Sequence, residues 1–175
     1  ELDDATSNNN DLTNNGPSNT TGKIARAKDF VKSLSQDMTA PDSASLSGLT
    51  ALTAEAWVNM DSPGGADNFR FLCKDESGQR EWAVGSTGSG TGKQFIIVLD
   101  NTAGGYLFAH ETASGLAAFE GLWTHLVFVW DGGTTSAAAN LKMYRNGSLV
   151  TFTDVSAGTF NGIQDTTSIL TLGNQ

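Results

Sequence analysis

The stretch that decides the fold is Gly121-Leu122-Trp123-Thr124-His125-Leu126-Val127-Phe128-Val129-Trp130-Asp131-Gly132-Gly133. Alternate residues of a β-strand point to opposite faces. One face of this stretch carries Leu126, Phe128 and Trp130, and the other carries Trp123, His125, Val127 and Val129. Because both faces are apolar, the pattern predicts a strand in the middle of a sheet that is covered on both sides.

A polar loop leads from this strand into a second one, Leu141-Lys142-Met143-Tyr144-Arg145, which is followed by Asn146-Gly147. An Asn-Gly dipeptide suits a two-residue turn with positive φ at both positions. The sequence therefore predicts a hairpin in which a short strand, residues 148–152, folds straight back.

Short apolar runs separated by polar turns recur along the rest of the chain, a rhythm typical of an all-β sandwich. The predicted strands are residues 52–60, 69–74, 81–85, 95–99, 106–110 and 169–172. One segment departs from this rhythm, because the apolar residues of segment 22–34 fall near helical spacing and taken alone predict a short amphipathic helix.

The composition limits the classes of partner. The chain has 175 residues, which favours one domain over 1–175, and its formal net charge is −9 with no run of Lys or Arg. Nucleic acid and anionic membranes are disfavoured as partners because both require a basic surface. No apolar run approaches the length of a membrane span, so we expect no membrane insertion. The single cysteine, Cys73, shares a strand face with Phe69 and Phe71, which predicts a buried core thiol.

Several stretches resemble the laminin-G-like branch of the concanavalin A-like lectin and glucanase superfamily. The similar motifs are the opening Leu2-to-Thr13 stretch, Thr21-Gly22-Lys23, Pro41-Asp42-Ser43, Glu55-Ala56-Trp57-Val58, Trp123-Thr124-His125-Leu126, Trp130-Asp131-Gly132, Tyr144-Arg145-Asn146-Gly147 and Leu172-Gly173-Asn174. The resemblance implies a two-sheet antiparallel jelly-roll sandwich. It also implies a strand around residues 27–31 in place of the helix.

The resemblance further implies a closing strand after Gly173-Asn174, whereas this chain stops at Gln175. We therefore expect the chain to be a piece of a longer protein. The alternative is a sandwich that lacks its closing strand and self-associates through the open sheet edge.

A crowded group of Asp and Asn residues near the start suits a calcium ion, which takes six to eight oxygen ligands. Members of the family that resemble this opening hold Ca²⁺ there. The predicted ligands are Asp4, Asn8, Asn10 and Asp11. The alternative is a solvated cluster of Asn/Asp turns.

No catalytic constellation is evident. Glycosidases of this fold use a Glu-x-Asp-x-x-Glu strand that places two carboxylates on one face, and this spacing is absent from the chain. The segment 75–81 has suitable residue types, but Gly78 at its centre predicts a hairpin turn. For Glu55 we expect an ion pair with a partner such as Arg70 or Arg80, and for His125 a hydrogen-bonded place in or beside the core.

The leading hypothesis is a non-catalytic carbohydrate-binding or adhesion domain of a secreted, cell-surface or virion-associated protein, with a glycan or polysaccharide as ligand. Aromatic rings stack on sugar C–H groups, and amides, carboxylates or guanidinium groups bind the hydroxyls. The candidate ligand-binding residues are Arg80, Trp82, Asp100, Asn101 and Tyr106. We expect Trp57, Trp123 and Trp130 in the core, which is also the alternative for Trp82. Two alternatives come from other classes: a polysaccharide hydrolase or lyase, and a purely structural assembly domain.

Overall fold

The computed structural model describes residues 2–61, 69–87, 94–100, 104–112 and 116–173, and the architecture below refers to these residues. It is almost entirely β-structure. In chain order the strands are β1 (Thr13–Asn15), β2 (Ser18–Thr21), β3 (Arg26–Asp29), β4 (Asp37–Ala40), β5 (Leu52–Val58), β6 (Phe69–Glu76), β7 (Gln79–Thr87), β8 (Gln94–Asp100), β9 (Tyr106–Glu111), β10 (Thr124–Trp130), β11 (Leu141–Arg145), β12 (Ser148–Leu149), β13 (Phe152–Asp154) and β14 (Leu170–Leu172). Short 3-10 turns cover Lys32–Leu34 and Leu116–Phe119, and a single helical turn, α1, covers Ala137–Asn140.

The strands form two main antiparallel sheets and one ribbon. The large sheet has the order β1-β4-β14-β6-β7-β8-β9-β13, the small sheet the order β12-β11-β10-β5, and β2 pairs with β3 alone. The predicted all-β, two-sheet antiparallel sandwich is confirmed. Within the described residues, no helix is long and apolar enough to cross a membrane.

The core lies between the two main sheets, and β10 contributes its largest side chains. Leu126, Phe128 and Trp130 are each at most 3% exposed. The Trp130 ring meets Phe160 edge to face at 5.9 Å between centroids, and its Nε1 donates to the carbonyl of Gly133 at 2.7 Å. Burying an indole is more favourable when its N–H finds an acceptor, and the Asp131-Gly132-Gly133 turn supplies one.

The second face of β10 is not covered as predicted. The strand does lie inside its sheet, between β11 and β5, but His125, Val127 and Val129 are only half-buried. The prediction of two covered faces is wrong because the large sheet packs on one side of β10 only. On the other side Val127 has Tyr144 and Glu55 as its cross-strand neighbours, and these side chains shield it in part.

The hairpin after β11 has the predicted turn, but its returning strand differs from the prediction. Asn146 and Gly147 have φ of 50° and 80°, as predicted. The returning strand β12 ends at Leu149, whereas Phe152 begins β13, which pairs with β9 in the large sheet. The predicted strand over residues 148–152 is therefore split, because the chain crosses between the two sheets at the buried Val150.

Segment 22–34 is not a helix. Residues 26–29 form β3, which pairs with β2 in the separate two-stranded ribbon, and only a 3-10 turn follows at Lys32–Leu34. The strand implied by the family resemblance is confirmed, and the helical hypothesis is wrong. The helical spacing of the apolar residues was misleading because Ile24, Val31 and Leu34 are exposed and so form no buried helical face.

The other predicted strands are confirmed, and most of them are longer than predicted. Gly78 has φ of 79° in the β6–β7 turn, and Cys73 is buried with 1% exposure. The final strand β14 lies between β4 and β6. Among the described strands, β5 and β12 end the small sheet, and β5 has β10 as its one neighbour.

Candidate functional site

Three of the predicted ligand-binding residues lie together at the ends of adjacent strands. Asp100 at the end of β8 is the register partner of Tyr106 at the start of β9. Arg80 at the start of β7 is close enough for its charge to act on Asp100. Trp82 belongs to the core instead, with 3% exposure, so its ring offers no surface to a ligand. Asn101 lies outside the described residues.

The contacts of these residues hold the fold together. Arg80 Nε lies 2.9 Å from Asp75 Oδ1, and its carbonyl accepts a hydrogen bond from the Gln164 side chain. The backbone N–H of Gln164 donates to the Asp100 carbonyl at 3.0 Å. Burial raises the pKa of the Asp100 carboxyl, and the positive charge of Arg80 opposes this rise. The set therefore fastens the β13–β14 connection to the sheet, and a ligand-binding role for it remains a prediction.

A groove of about 840 Å³ lies on the open side of the sandwich. One wall is the β2–β3 ribbon, and the other wall includes the end of edge strand β5. Side chains of β4, β6 and β14 reach its floor, among them Met38, Phe71 and Leu172. The groove exists because β5 has no described neighbour on its outer side, while the ribbon lies across the opening without joining either main sheet.

Trp57 lines this groove and is 38% exposed, so its predicted place in the core is wrong. The two-residue period puts Trp57 on the outer face of β5, opposite the face that carries the buried Ala54. Trp123 is half-buried and also lines the groove, whereas Trp130 lies in the core as predicted.

Two side chains flank the Trp57 ring. The imidazole of His125, its register partner on β10, lies 5.1 Å away between ring centroids at an angle of 31°. Lys23, from the turn of the ribbon, places Nζ 5.6 Å from the centroid of the indole. A cation at this distance from an indole is attracted by the negative face of the ring. The ring is thus held between the small sheet and the ribbon.

Glu55 pairs with His125, its Oε2 lying 3.7 Å from Nε2. The predicted pairing of Glu55 with Arg70 or Arg80 is wrong because Glu55 lies on the outer face of the small sheet, whereas both arginines belong to the large sheet. The Glu55 side chain is 67% exposed, so it is not the partly buried carboxylate that the sequence indicated.

A buried charge cluster was missed by the sequence analysis. Lys74 is fully buried, and its Nζ lies 2.6 Å from Asp42 Oδ1, 2.6 Å from Ser47 Oγ and 3.0 Å from Glu81 Oε1. Glu81 is also fully buried and accepts hydrogen bonds from the N–H and hydroxyl of Thr166. The sequence feature that could have indicated this cluster is the Pro41-Asp42-Ser43 motif, because the Asp42 carboxylate accepts a hydrogen bond from the buried Lys74 ammonium.

The oxygens of the predicted calcium loop take part in hydrogen bonds within the protein. Asp4 Oδ1 and Oδ2 accept the N–H groups of Thr6 and Asn10 at 2.8 and 2.9 Å, and these bonds lower the pKa of the Asp4 carboxyl. Asp11 Oδ1 accepts the N–H of Asp4 at 2.7 Å. In the described part of the chain, no three His, Cys, Asp or Glu side chains converge as metal ligands. The calcium site stays a prediction.

Asn10 links this loop to the segment before β5. Its Oδ1 accepts from the Ser43 hydroxyl at 2.7 Å, and its Nδ2 donates to Ser45 Oγ at 3.0 Å. The opening loop is therefore tied to the residues that follow Pro41-Asp42.

Comparison with known proteins agrees with the fold. The family described as the concanavalin A-like lectin/glucanases superfamily, of laminin G type, matches residues 32–175. The binding domain of Paraclostridial Mosquitocidal Protein 1 superposes with a TM-score of 0.66 at 10% sequence identity, over 99% of this chain and 45% of that chain. This chain thus spans less than half of that structure, and at this identity the likeness shows the fold alone. No curated protein sequence matches the chain. Since the family match covers most of the residues, the chain belongs to the concanavalin A-like lectin/glucanases superfamily as a laminin-G-like domain.

Proposed function

We propose that this chain is a non-catalytic carbohydrate-binding domain whose ligand binds in the groove beside Trp57. The observation that carries the proposal is the indole itself, 38% exposed on the wall of a groove of about 840 Å³. A pyranose presents C–H groups that stack on an aromatic face, and its hydroxyls need directed polar partners. Asn19 and Asn59, whose side chains carry amides, line the same groove.

The groove is a better candidate than the residues around Arg80. That set has lost one of its two predicted aromatic residues, because Trp82 is in the core, and Arg80 and Asp75 are paired with each other. Membership of a superfamily of lectins and glucanases supports a carbohydrate ligand. The structural neighbour is itself titled a binding domain, which supports binding over catalysis. An extracellular or surface location, with adhesion as the wider role, forms part of the proposal.

The test is binding of the purified chain to a panel of immobilised polysaccharides, followed by titration of each positive. We expect Trp57→Ala to weaken binding at least about tenfold, because it removes the stacking surface, and Trp57→Phe to retain most of it. Arg80→Ala and Tyr106→Ala serve as controls for the other set. If these control variants lose binding while Trp57→Ala binds as strongly as the unmodified chain, the site lies at the ends of β7, β8 and β9. Absence of binding to every polysaccharide would refute the proposal and favour an assembly domain.

The enzymatic alternative is tested on the same polysaccharides. A hydrolase would release new reducing ends, and a lyase would form unsaturated products that absorb in the ultraviolet. We expect neither during prolonged incubation at high protein concentration. Product formation would replace the non-catalytic proposal with a polysaccharide-active enzyme.

We propose also that the N-terminal loop binds Ca²⁺ through Asp4, Asn8, Asn10 and Asp11. The Asp4 carboxylate is charged at neutral pH, and a carboxylate oxygen that accepts one hydrogen bond retains capacity for another partner. Addition of millimolar Ca²⁺ to metal-stripped protein should raise the melting temperature by several degrees. Asn8→Ala, whose side chain is exposed, should reduce this rise, while Asp3→Ala should not. An unchanged melting temperature would remove the calcium site.

The outer edge of β5, which has no neighbour among the described strands, supports the proposed self-association, since an unpaired strand edge can add a strand from a second copy. Light scattering over a wide range of concentration should then show a mass that rises from monomer toward dimer. A second copy at this edge would also cover Trp57, so a saturating saccharide ligand should favour the monomer. A constant monomer mass would exclude self-association.

A further inference from the structure

The basic residues of this acidic protein are concentrated in the groove. The chain has ten Lys and Arg residues against nineteen Asp and Glu residues. Five of the ten basic residues line the groove, namely Lys23, Arg26, Lys28, Lys32 and Arg70. Of the nineteen acidic residues, Asp29 and Asp61 line it. The lining therefore carries a local excess of three positive charges, whereas the whole chain has a net charge of −9.

We infer that the groove selects an acidic polysaccharide, one that carries sulfate or carboxylate groups. This inference rests on the proposed carbohydrate-binding function and adds the chemical class of the ligand. Electrostatic attraction falls off over about 8–10 Å at physiological salt, so the charges close to the ligand decide the interaction more than the net charge of the chain.

Two basic residues of the ribbon share one strand face. Arg26 and Lys28 are two positions apart on β3, so their side chains project from the same side. Neither forms an ion pair with a carboxylate in the described residues. Arg70, in contrast, has a partner in Asp75, whose Oδ2 lies 3.4 Å from its Nε. Arg26 and Lys28 thus supply two cations on the ribbon side of the groove that form no ion pair with a described carboxylate.

Lys23 connects these charges to the aromatic platform. Its ammonium lies 5.6 Å from the centre of the Trp57 ring, so a sugar stacked on the indole comes close to this group. A neutral sugar would displace water from the ammonium without supplying a counter-charge. A sulfate or carboxylate substituent would compensate for the lost hydration by accepting a charge-assisted hydrogen bond from the ammonium.

The experiment compares neutral and charged forms of the same polymer. Dextran is paired with dextran sulfate, and methyl-esterified polygalacturonate is paired with free polygalacturonate. We expect binding to at least one charged form, little to its neutral partner, and weakening as salt is raised. Binding of dextran sulfate alone would identify sulfate as the recognised group, and binding of polygalacturonate alone would identify the carboxylate.

Matched charge variants locate the charge effect. Arg26→Gln/Lys28→Gln removes two groove charges, and Lys142→Glu lowers the net charge by the same amount at an exposed position outside the groove lining. We expect the groove variant to bind the charged polymer about tenfold more weakly and the control to change little, with both variants checked by thermal melting. Equal weakening in the two variants would overturn the inference.

The remaining outcomes separate this inference from the function it rests on. Binding of neutral polymers that depends on Trp57 but not on Arg26 and Lys28 would refute the acidic ligand and leave the carbohydrate-binding proposal standing. Binding of single-stranded DNA as strongly as the charged polysaccharide, unaffected by Trp57→Ala, would mean that the groove recognises charge without sugar and would overturn both.

Discussion

The rings of Trp57 and His125 lie side by side across β5 and β10, with centroids 5.1 Å apart and planes tilted by 31°. The imidazole packs against the indole on the outer face of the small sheet. It also faces Glu55, whose carboxylate is 3.7 Å away. His125 is therefore in contact with both the aromatic platform of the groove and the neighbouring acidic side chain.

We expect His125→Ala to weaken polysaccharide binding about threefold to tenfold, because the Trp57 ring loses a neighbour that restricts its orientation. A cross-strand pair at a half-exposed position contributes about 0.2–1 kcal/mol to stability, so the melting temperature should fall by only a few degrees. Titration calorimetry and thermal melting check these values. His125→Phe should restore binding if the ring contact is what matters, and failure of this rescue would point to direct contact of His125 with the ligand.

The Lys74 cluster should dominate the stability of the large sheet. Lys74→Met leaves the carboxylates of Asp42 and Glu81 without their ammonium partner, and Glu81 is fully buried. We therefore expect the free energy of unfolding to fall by about 3–5 kcal/mol. Urea denaturation measures this loss. Lys74→Met/Glu81→Leu should recover part of the stability, because the second change removes the buried charge. A double variant no more stable than the single one would contradict this account.

The folded state should lose stability in acid. The hydrogen bond from Lys74 holds the pKa of Asp42 below its ordinary value of 3.8, and backbone N–H donors lower those of Asp4 and Asp131. Because each folded-state pKa lies below the unfolded value, the stabilisation is complete above pH 3.8 and is lost as the pH falls through the folded-state pKa. Urea denaturation over this acidic range should show a falling free energy of unfolding. Lys74→Met should flatten the part of the curve due to Asp42, and an unchanged slope would rule out that assignment.

Gly132 should be intolerant of a side chain. Its φ is 92°, and a Cβ atom there would lie 2.2 Å from the backbone oxygen of Thr50. We expect Gly132→Ala to cost about 3 kcal/mol or more, from backbone strain combined with the clash. Gly78 is the matched control, because its φ of 79° is similar but a Cβ atom at that position would have nothing within 4 Å. Gly78→Ala should cost about 1 kcal/mol, and equal losses of stability in denaturation experiments would show that the Thr50 contact is unimportant.

The residue pattern was sufficient for most strands of the two main sheets, but not for segment 22–34 or residues 148–152. Alternation in segment 121–133 predicted β10, and Asn146-Gly147 predicted a turn that has φ of 50° and 80°. These features are local, since side-chain period and turn conformation depend on neighbouring residues. The ordered motifs also gave the superfamily, which the match over residues 32–175 confirms.

The candidate site was only partly predictable. Arg80, Asp100 and Tyr106 do lie near one another, as adjacent strand ends predict. Of the aromatic residues chosen for that site, Trp82 is in the core, and of those assigned to the core, Trp57 is exposed. Both follow the period of their strands, but alternation does not say which face of a strand meets the opposite sheet.

By itself the sequence determined the family, the turn at Asn146-Gly147 and most strands of the two main sheets, because these depend on local pattern and on motifs in fixed order. Only the tertiary structure decided that Trp57 lies on β5, an edge strand among the described strands, and that Lys23, Arg26 and Lys28 line the same groove. Arg70, which lines the same groove, lies far from these residues in the sequence. The net charge of the chain does not show how its charges are distributed in space. The physical reason is that the groove lies where the edge of β5 and the β2–β3 ribbon do not hydrogen-bond to each other. Which distant strands pair depends on the fold as a whole and not on local sequence.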